Sequence, residues 1–191
     1  MSTKEISLAE AVAYLGAIKE GKSSPTIAGK VARSRTMYKA GSSVELSANN
    51  GDAILPDTDK APGVTNFEKG NTVPAGSSFL VYAVRNLFDV VADATVKNAE
   101  WKSSTPANFK NGEMTVSQDG QGMMLNSSGT DLSNDSTSNL GNNSDFRPVV
   151  PFMLRAGASF NINFRLATPG VANQLYKTEF RVIEFIESDK A

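Results

Sequence analysis

The chain has 191 residues of ordinary globular composition, 40 % hydrophobic and 20 % charged, with a net charge of −1 and neither histidine nor cysteine. That length is enough for one domain with a substantial core. Without imidazole or thiol there is no ordinary Ser-His-Asp triad, thiolate nucleophile, disulfide, or zinc or iron–sulfur site of the usual kind, so the chain is expected to act through shape and surface, not as an enzyme, and to need no cofactor.

The chain opens on a polar stretch with no secretory signal pattern, and no run approaches the ~20 apolar residues of a membrane span, so synthesis in a cytoplasm is expected. Ser7-Leu8-Ala9-Glu10 matches a capping box, and Leu8, Ala11, Val12, Leu15 and Ile18 follow helical spacing up to Gly21. A helix of about 13 residues with one apolar stripe is marginal alone and needs a surface to dock on. From Lys22 to Ser43 the periodicity fades and an extended basic arm is expected. Residues 1–40 carry seven basic side chains against three acidic ones, a net +4, and Lys30, Arg33, Arg35 and Lys39 are candidates for contact with a phosphate-rich or subunit partner.

From residue 44 onward the pattern is β. Val44-Glu45-Leu46 alternates, Asn49-Asn50-Gly51-Asp52 supplies turn chemistry, and Ala53-Ile54-Leu55 resumes an apolar run before Pro56. Phe79 to Val84, entered through Val73-Pro74-Ala75-Gly76, is apolar on both alternating faces and predicts a strand buried on both sides; Leu87, Phe88, Val90 and Val91 extend it or begin another. Weaker strands are predicted over 94–101 and 113–117, and Gly120-Gln121-Gly122 reads as a turn or bulge.

Between residues 126 and 145, 18 of 20 residues are Ser, Asn, Gly, Thr or Asp, too little apolar area to offset ordering entropy without outside contacts. Arg147 to Leu154 contains Pro148 and Pro151, which suits an edge strand or a sheet-crossing segment. Phe160, Ile162, Phe164 and Leu166 alternate with Asn161, Asn163 and Arg165, and a terminal strand follows through Tyr176, Thr178, Phe180 and Val182 to Ile186. About eight strands over 44–187 predict an all-β, two-sheet sandwich of jelly-roll type. It would span residues 44–191, preceded by an N-terminal helix and basic arm over 1–43.

Candidate chemistry is sparse. Asp52, Asp57 and Asp59, or Asp131, Asp135 and Asp145, could supply a glycosidase-like carboxylate pair, but loop aspartates more often form turns. Asp57-Thr58-Asp59 lacks the glycine and terminal glutamate of a calcium loop, so no metal site is expected. Gly120-Gln121-Gly122 lacks the Lys-Ser/Thr of a phosphate loop. Tyr38 is a lone aromatic among the basic residues, which favours phosphate contact over base stacking.

The helix and arm at 7–43, the segment Asn66 to Gly76 leading into Phe79–Val84, and the pair Arg147–Phe152 and Phe160–Leu166 together resemble jelly-roll capsid proteins of icosahedral bacteriophages. The resemblance implies a structural virion protein, made in the host cytoplasm, whose sandwich forms a shell while the N-terminal segment reaches beneath neighbouring subunits. It implies copies of itself and other capsid proteins as partners, contacts through Leu8, Val12, Leu15, Ile18, Lys30, Arg33, Arg35 and Lys39, and nonspecific contact of the arm with the packaged genome. A minor or decorating capsid component, or a carbohydrate-binding sandwich, is the alternative.

Overall fold

The computed structural model describes residues 9, 10, 13, 29–90, 92–93, 95–133 and 146–187. Within them the chain is mostly β. Strands β1 (Lys30–Ser42), β2 (Ser77–Val90), β5 (Arg147–Leu154) and β7 (Gln174–Glu187) form one sheet in the order β1-β7-β2-β5. Strands β3 (Glu113–Gln118), β4 (Gly122–Ser128) and β6 (Phe160–Arg165) form a second in the order β4-β3-β6. Every strand pair is antiparallel, and the two sheets pack together as a sandwich. Three short helices lie in the connections: α1 (Ser43–Ala48), α2 (Ala107–Lys110) and α3 (Gly129–Leu132).

The register explains which side chains meet. Phe79 and Val81 of β2 stand opposite Leu154 and Phe152 of β5, and Val81 stands opposite Val182 of β7, so these residues share the face turned to the second sheet. There they join Met114, Val116, Phe160, Ile162 and Phe164 in the main core. Phe109 ties the layers together, its ring 4.8 Å from Phe88, 5.4 Å from Phe164 and 6.0 Å from Tyr176 between centroids. The expected alternation in β6 is present: Phe160, Ile162 and Phe164 are buried, while Asn161 and Asn163 are half-buried and Arg165 is exposed. β5 lies at a sheet edge, where Pro148 and Pro151 remove no ladder bond that the fold needs.

Several expectations are corrected. Residues 30–42, expected in an extended arm outside the sandwich, pair along their whole length with β7, so the division at 43/44 falls at the end of a sheet strand. Two antiparallel strands in register satisfy their backbone groups with each other whatever the charge of their side chains. Val44-Glu45-Leu46 is helical: the Ser42 hydroxyl accepts from the Val44 N–H, and Leu46 reaches the core from one turn of helix. Two apolar residues spaced by two are too short a pattern to separate strand from turn.

Ala53 to Leu55 forms no strand; only Asp52 bridges Asn163, with the Ala53 N–H donating to the Ile162 carbonyl at 2.8 Å. Gly51 holds this approach, with φ +87° and a position where a Cβ would lie 2.2 Å from the Phe164 carbonyl oxygen. Around residues 95–98, Asn98 Oδ1 accepts from both the backbone and the hydroxyl of Thr95, closing a turn in place of the weak strand expected over 94–101. Seven strands are therefore formed among the described residues, beginning at Lys30, where about eight were expected from residue 44.

The polar stretch from 126 is also ordered further than composition suggests. Asn126, Ser127 and Ser128 complete β4 against Thr115, Met114 and Glu113, and Leu132 on α3 is buried in the core. Backbone pairing needs no apolar side chain, and Gly129 permits contact with the Phe109 carbonyl that a Cβ would block at 1.8 Å. Residues 134–145 lie outside the described residues, as do Leu8, Val12, Leu15 and Ile18.

Replacing Phe164 by Ala is expected to cost about 3–5 kcal/mol, and replacing the 77 % exposed Val150 by Ala under about 0.5 kcal/mol, read from urea midpoints at constant slope.

Candidate functional site

β7 carries charge on both of its faces, and its neighbours determine what each charge meets. On the core-facing side Glu184 is 3 % exposed. Its Oε2 accepts from Arg33 Nε at 2.7 Å and from Arg35 Nη1 at 2.8 Å. Arg33 stands directly opposite Glu184 in the β1–β7 register and Arg35 lies two residues along the same face. One nearly buried carboxylate thus closes two guanidinium groups, and the bond to Glu184 raises the Arg33 pKa further.

Further along the same face Lys39 is buried. Its ammonium donates to the Ala40 carbonyl, and burial lowers its pKa, while Glu45 acts weakly in the opposite sense. Glu45 and the Tyr176 hydroxyl both crowd the α-carbon of Gly41, and burial pushes the Tyr176 phenol well above its ordinary range. Lys39 and Tyr176 are buried here, while Glu45 lies beside them on the exposed side.

On the opposite face, Glu179 accepts from Arg85 Nε at 2.6 Å and pairs with Lys177 Nζ at 2.7 Å. The guanidinium carbons of Arg85 and Arg181 lie 4.4 and 4.3 Å from the centre of the Phe146 ring. Lys177 Nζ sits 4.7 Å from the Tyr38 ring and 6.0 Å from that of Trp101. Two cations therefore share the Glu179 carboxylate, while Arg181 rests on the Phe146 ring and its buried Nη1 has no hydrogen-bond partner.

Of the basic residues that are candidates for contact with a phosphate-rich or subunit partner, Arg33 and Arg35 close on Glu184 and Lys39 is buried. Lys30 is half-buried opposite Glu187, and Arg33 is the one of the four classed as exposed. The sequence reading missed Glu184, Glu179, Arg85, Arg181 and Phe146. Lys177, Glu179 and Arg181 do alternate with Tyr176, Thr178 and Phe180, which marks one strand face as charged. Pairing of Glu184 with Arg33 across 151 positions left no local signal.

The acidic candidates take structural roles or stand apart. Asp52 accepts from Asn163 Nδ2 at 2.9 Å, and Asp57, Asp59, Asp119 and Asp131 are exposed. Thr58 Oγ1 accepts from the Leu55 N–H at 2.9 Å, which makes 55–58 a turn. Asp135 and Asp145 lie outside the described residues. Among the described residues no three acidic side chains converge where they could hold a metal ion. Gly120 and Gly122, with φ +76° and +77°, form the turn between β3 and β4, as expected. Clefts among the described residues include one of about 380 Å³ between α1 and residues 164–169, and one of about 330 Å³ lined by Asp89, Lys102, Ser104 and Gln174.

No helix among the described residues is long and apolar enough to cross a membrane. The fold and its charge clusters define a two-sheet antiparallel sandwich with polar networks built on its central strand. Comparison with protein-family models and with curated proteins finds no match.

Arg35→Ala is expected to cost more stability than Arg33→Ala, about 1–3 against under about 1 kcal/mol, because Arg33 is half in solvent while Arg35 is three-quarters covered. Urea denaturation of both variants at two salt concentrations checks the order. Lys39→Met is expected to stabilise the fold at pH 7 by removing a buried cation. In the wild type the folded state sheds this proton before the unfolded chain does, so its stability rises as pH climbs through the lowered folded pKa towards 10.5. The advantage of Lys39→Met in melting temperature is therefore expected to narrow between pH 7 and 10.

Proposed function

We propose that this chain is a structural virion protein, a jelly-roll capsid subunit that assembles with copies of itself into an icosahedral phage shell. The observation that carries this reading is the nesting of its strand pairs. β1 pairs with β7, Asp52 just after α1 bridges Asn163 in β6, β2 pairs with β5, and β3 pairs with β4. First meets last, second meets second-last, and so inward to a tight central hairpin.

This is the order of one long antiparallel hairpin wound into two sheets, with the Asp52 bridge standing in for an eighth strand. Nesting of this kind supports a jelly-roll plan, one that recurs in viral shells and in lectins. The surface fits repeated weak contacts. Val31, Met123 and Val150, all substantially exposed, lie on the edge strands β1, β4 and β5. Edge strands present unpaired backbone groups, and many copies of a weak contact close into a stable symmetric particle. Contact of the arm with a packaged genome would rest on Lys30 and Arg33, since Arg35 and Lys39 are largely covered.

Light scattering of the purified protein at two salt concentrations, with electron microscopy of large species, tests the proposal. Shells or symmetric capsomers are expected. A chain that stays monomeric alone and with co-expressed virion proteins would overturn a shell role. Glycan binding by that monomer would then favour a sugar-binding sandwich.

A further inference from the structure

Among the described residues the two sheets end on four edge strands, β1, β5, β4 and β6, and three of these are guarded. Beside β1 the Ala40 N–H donates to the Val64 carbonyl at 2.7 Å and the Tyr38 N–H to Asn66 Oδ1 at 2.8 Å, while the first half of the strand carries Lys30, Arg33 and Arg35. Beside β6 the Phe164 N–H donates to the Gly51 carbonyl and the Ile162 carbonyl accepts from Ala53, both at 2.8 Å. β5 contains Pro148 and Pro151, which have no N–H to offer. β4 has none of these protections. Among the described residues nothing hydrogen-bonds to its outer edge, and Gly122–Ser128 contains neither a charge nor a proline.

The ladder determines which groups on that edge face outward. The Gly129 N–H donates to the Gly112 carbonyl at 2.7 Å, and this pair continues the register in which Glu113 stands opposite Ser128. Hydrogen-bonded and non-bonded pairs alternate in an antiparallel ladder, so Leu125 and Ser127 bond to β3 while Asn126 and Ser128 turn their N–H and C=O groups away from it. The register shift of β4 lies towards its start, opposite Val116 and Ser117, which leaves Leu125–Ser128 regular. Asn126 and Ser128 are exposed, and Met123, 63 % exposed, adds apolar area further along the strand.

We propose that β4 pairs antiparallel with β4 of a second copy of this chain across a two-fold axis, joining two three-stranded sheets into one of six strands. The inference rests on the assembly reading for its occupant and names the edge through which two copies meet. The other edges of a second copy are covered, charged or proline-bearing, so the strand that matches an open β4 is β4 itself. Antiparallel pairing of a strand with its own copy is isologous, each side offering the same donors and acceptors. Because β4 is uncharged, no like charges face one another along the strand. A contact of a few backbone hydrogen bonds is weak alone and gains strength by repetition in an assembly.

The test records native mass and amide exchange of the full chain over a concentration series. Exchange at Asn126 and Ser128 is expected to slow about tenfold as concentration rises, with Leu125 and Ser127, already bonded to β3, unchanged. Asn126→Pro removes an outward N–H without touching the β3 ladder, and is expected to abolish the protection of Ser128 and lower the native mass; Asn126→Ala, which keeps the N–H, should match the wild type. Should Asn126→Pro fail to fold, Asn126→Lys sets like charges near each other across the axis and is expected to weaken association, with recovery in high salt. If the Asn126 and Ser128 amides exchange as free groups at every concentration, the pairing is overturned, and shells formed by the same sample would leave the assembly reading standing without it. A dimer protected at Asn126 and Ser128 that grows no further supports the pairing and counts against a self-assembling shell. Unchanged mass and protection in Asn126→Lys would also overturn the pairing.

Discussion

β7 is hydrogen-bonded on both sides over nearly its whole length, to β1 across Lys30–Ser42 and to β2 across Ser77–Val90. A strand held in this way has no freedom to shift, because a slip of one residue would exchange its two faces. Val182 and Phe180 would leave the core, and Glu184 would lose Arg33 and Arg35. The pairing of chain positions separated by about 150 residues is therefore the constraint from which the sandwich, its inner core and both charge clusters follow. Such distant contacts are slow to form, so the long chain between β1 and β7 must organise through the nearer hairpins as it folds.

The same strand shows how this sandwich accommodates buried charge. Glu184 and Glu179 are almost fully covered, yet each carboxylate meets two cations, and the desolvation cost is offset by short charge-assisted hydrogen bonds. Lys39 differs, because its strongest partner is a backbone carbonyl and its cation is held at a cost. Arg181 also keeps an unpartnered nitrogen, although its guanidinium rests against Phe146. These networks give β7 directional partners that a purely apolar strand would lack.

Much of the fold was legible because local alternation has one physical reading. Phe160, Ile162 and Phe164, with asparagines between them, describe a strand with one dry face, and the structure places those three side chains in the core. The prolines at 148 and 151 likewise fit an edge, since neither can donate to a ladder. Short patterns failed for a corresponding reason. Val44 and Leu46 satisfy both a strand and a single helical turn, and capping by Ser42 favours the turn. The basic character and faded periodicity of residues 30–39 suggested an extended arm, but side-chain charge does not determine backbone pairing.

By itself the sequence determined the β-rich class, the buried strand at 79–84, the alternating strand at 160–166 and the absence of imidazole and thiol chemistry. All of these follow from residue identity and spacing over a few positions. Only the tertiary structure decided that β1 belongs to the sheet, that Arg33 and Arg35 share Glu184 and that Lys39 is desolvated. Each of those depends on which distant strands become neighbours. Sequence spacing carries the period of a strand, whereas register across the chain is fixed when several strands bury their apolar faces together.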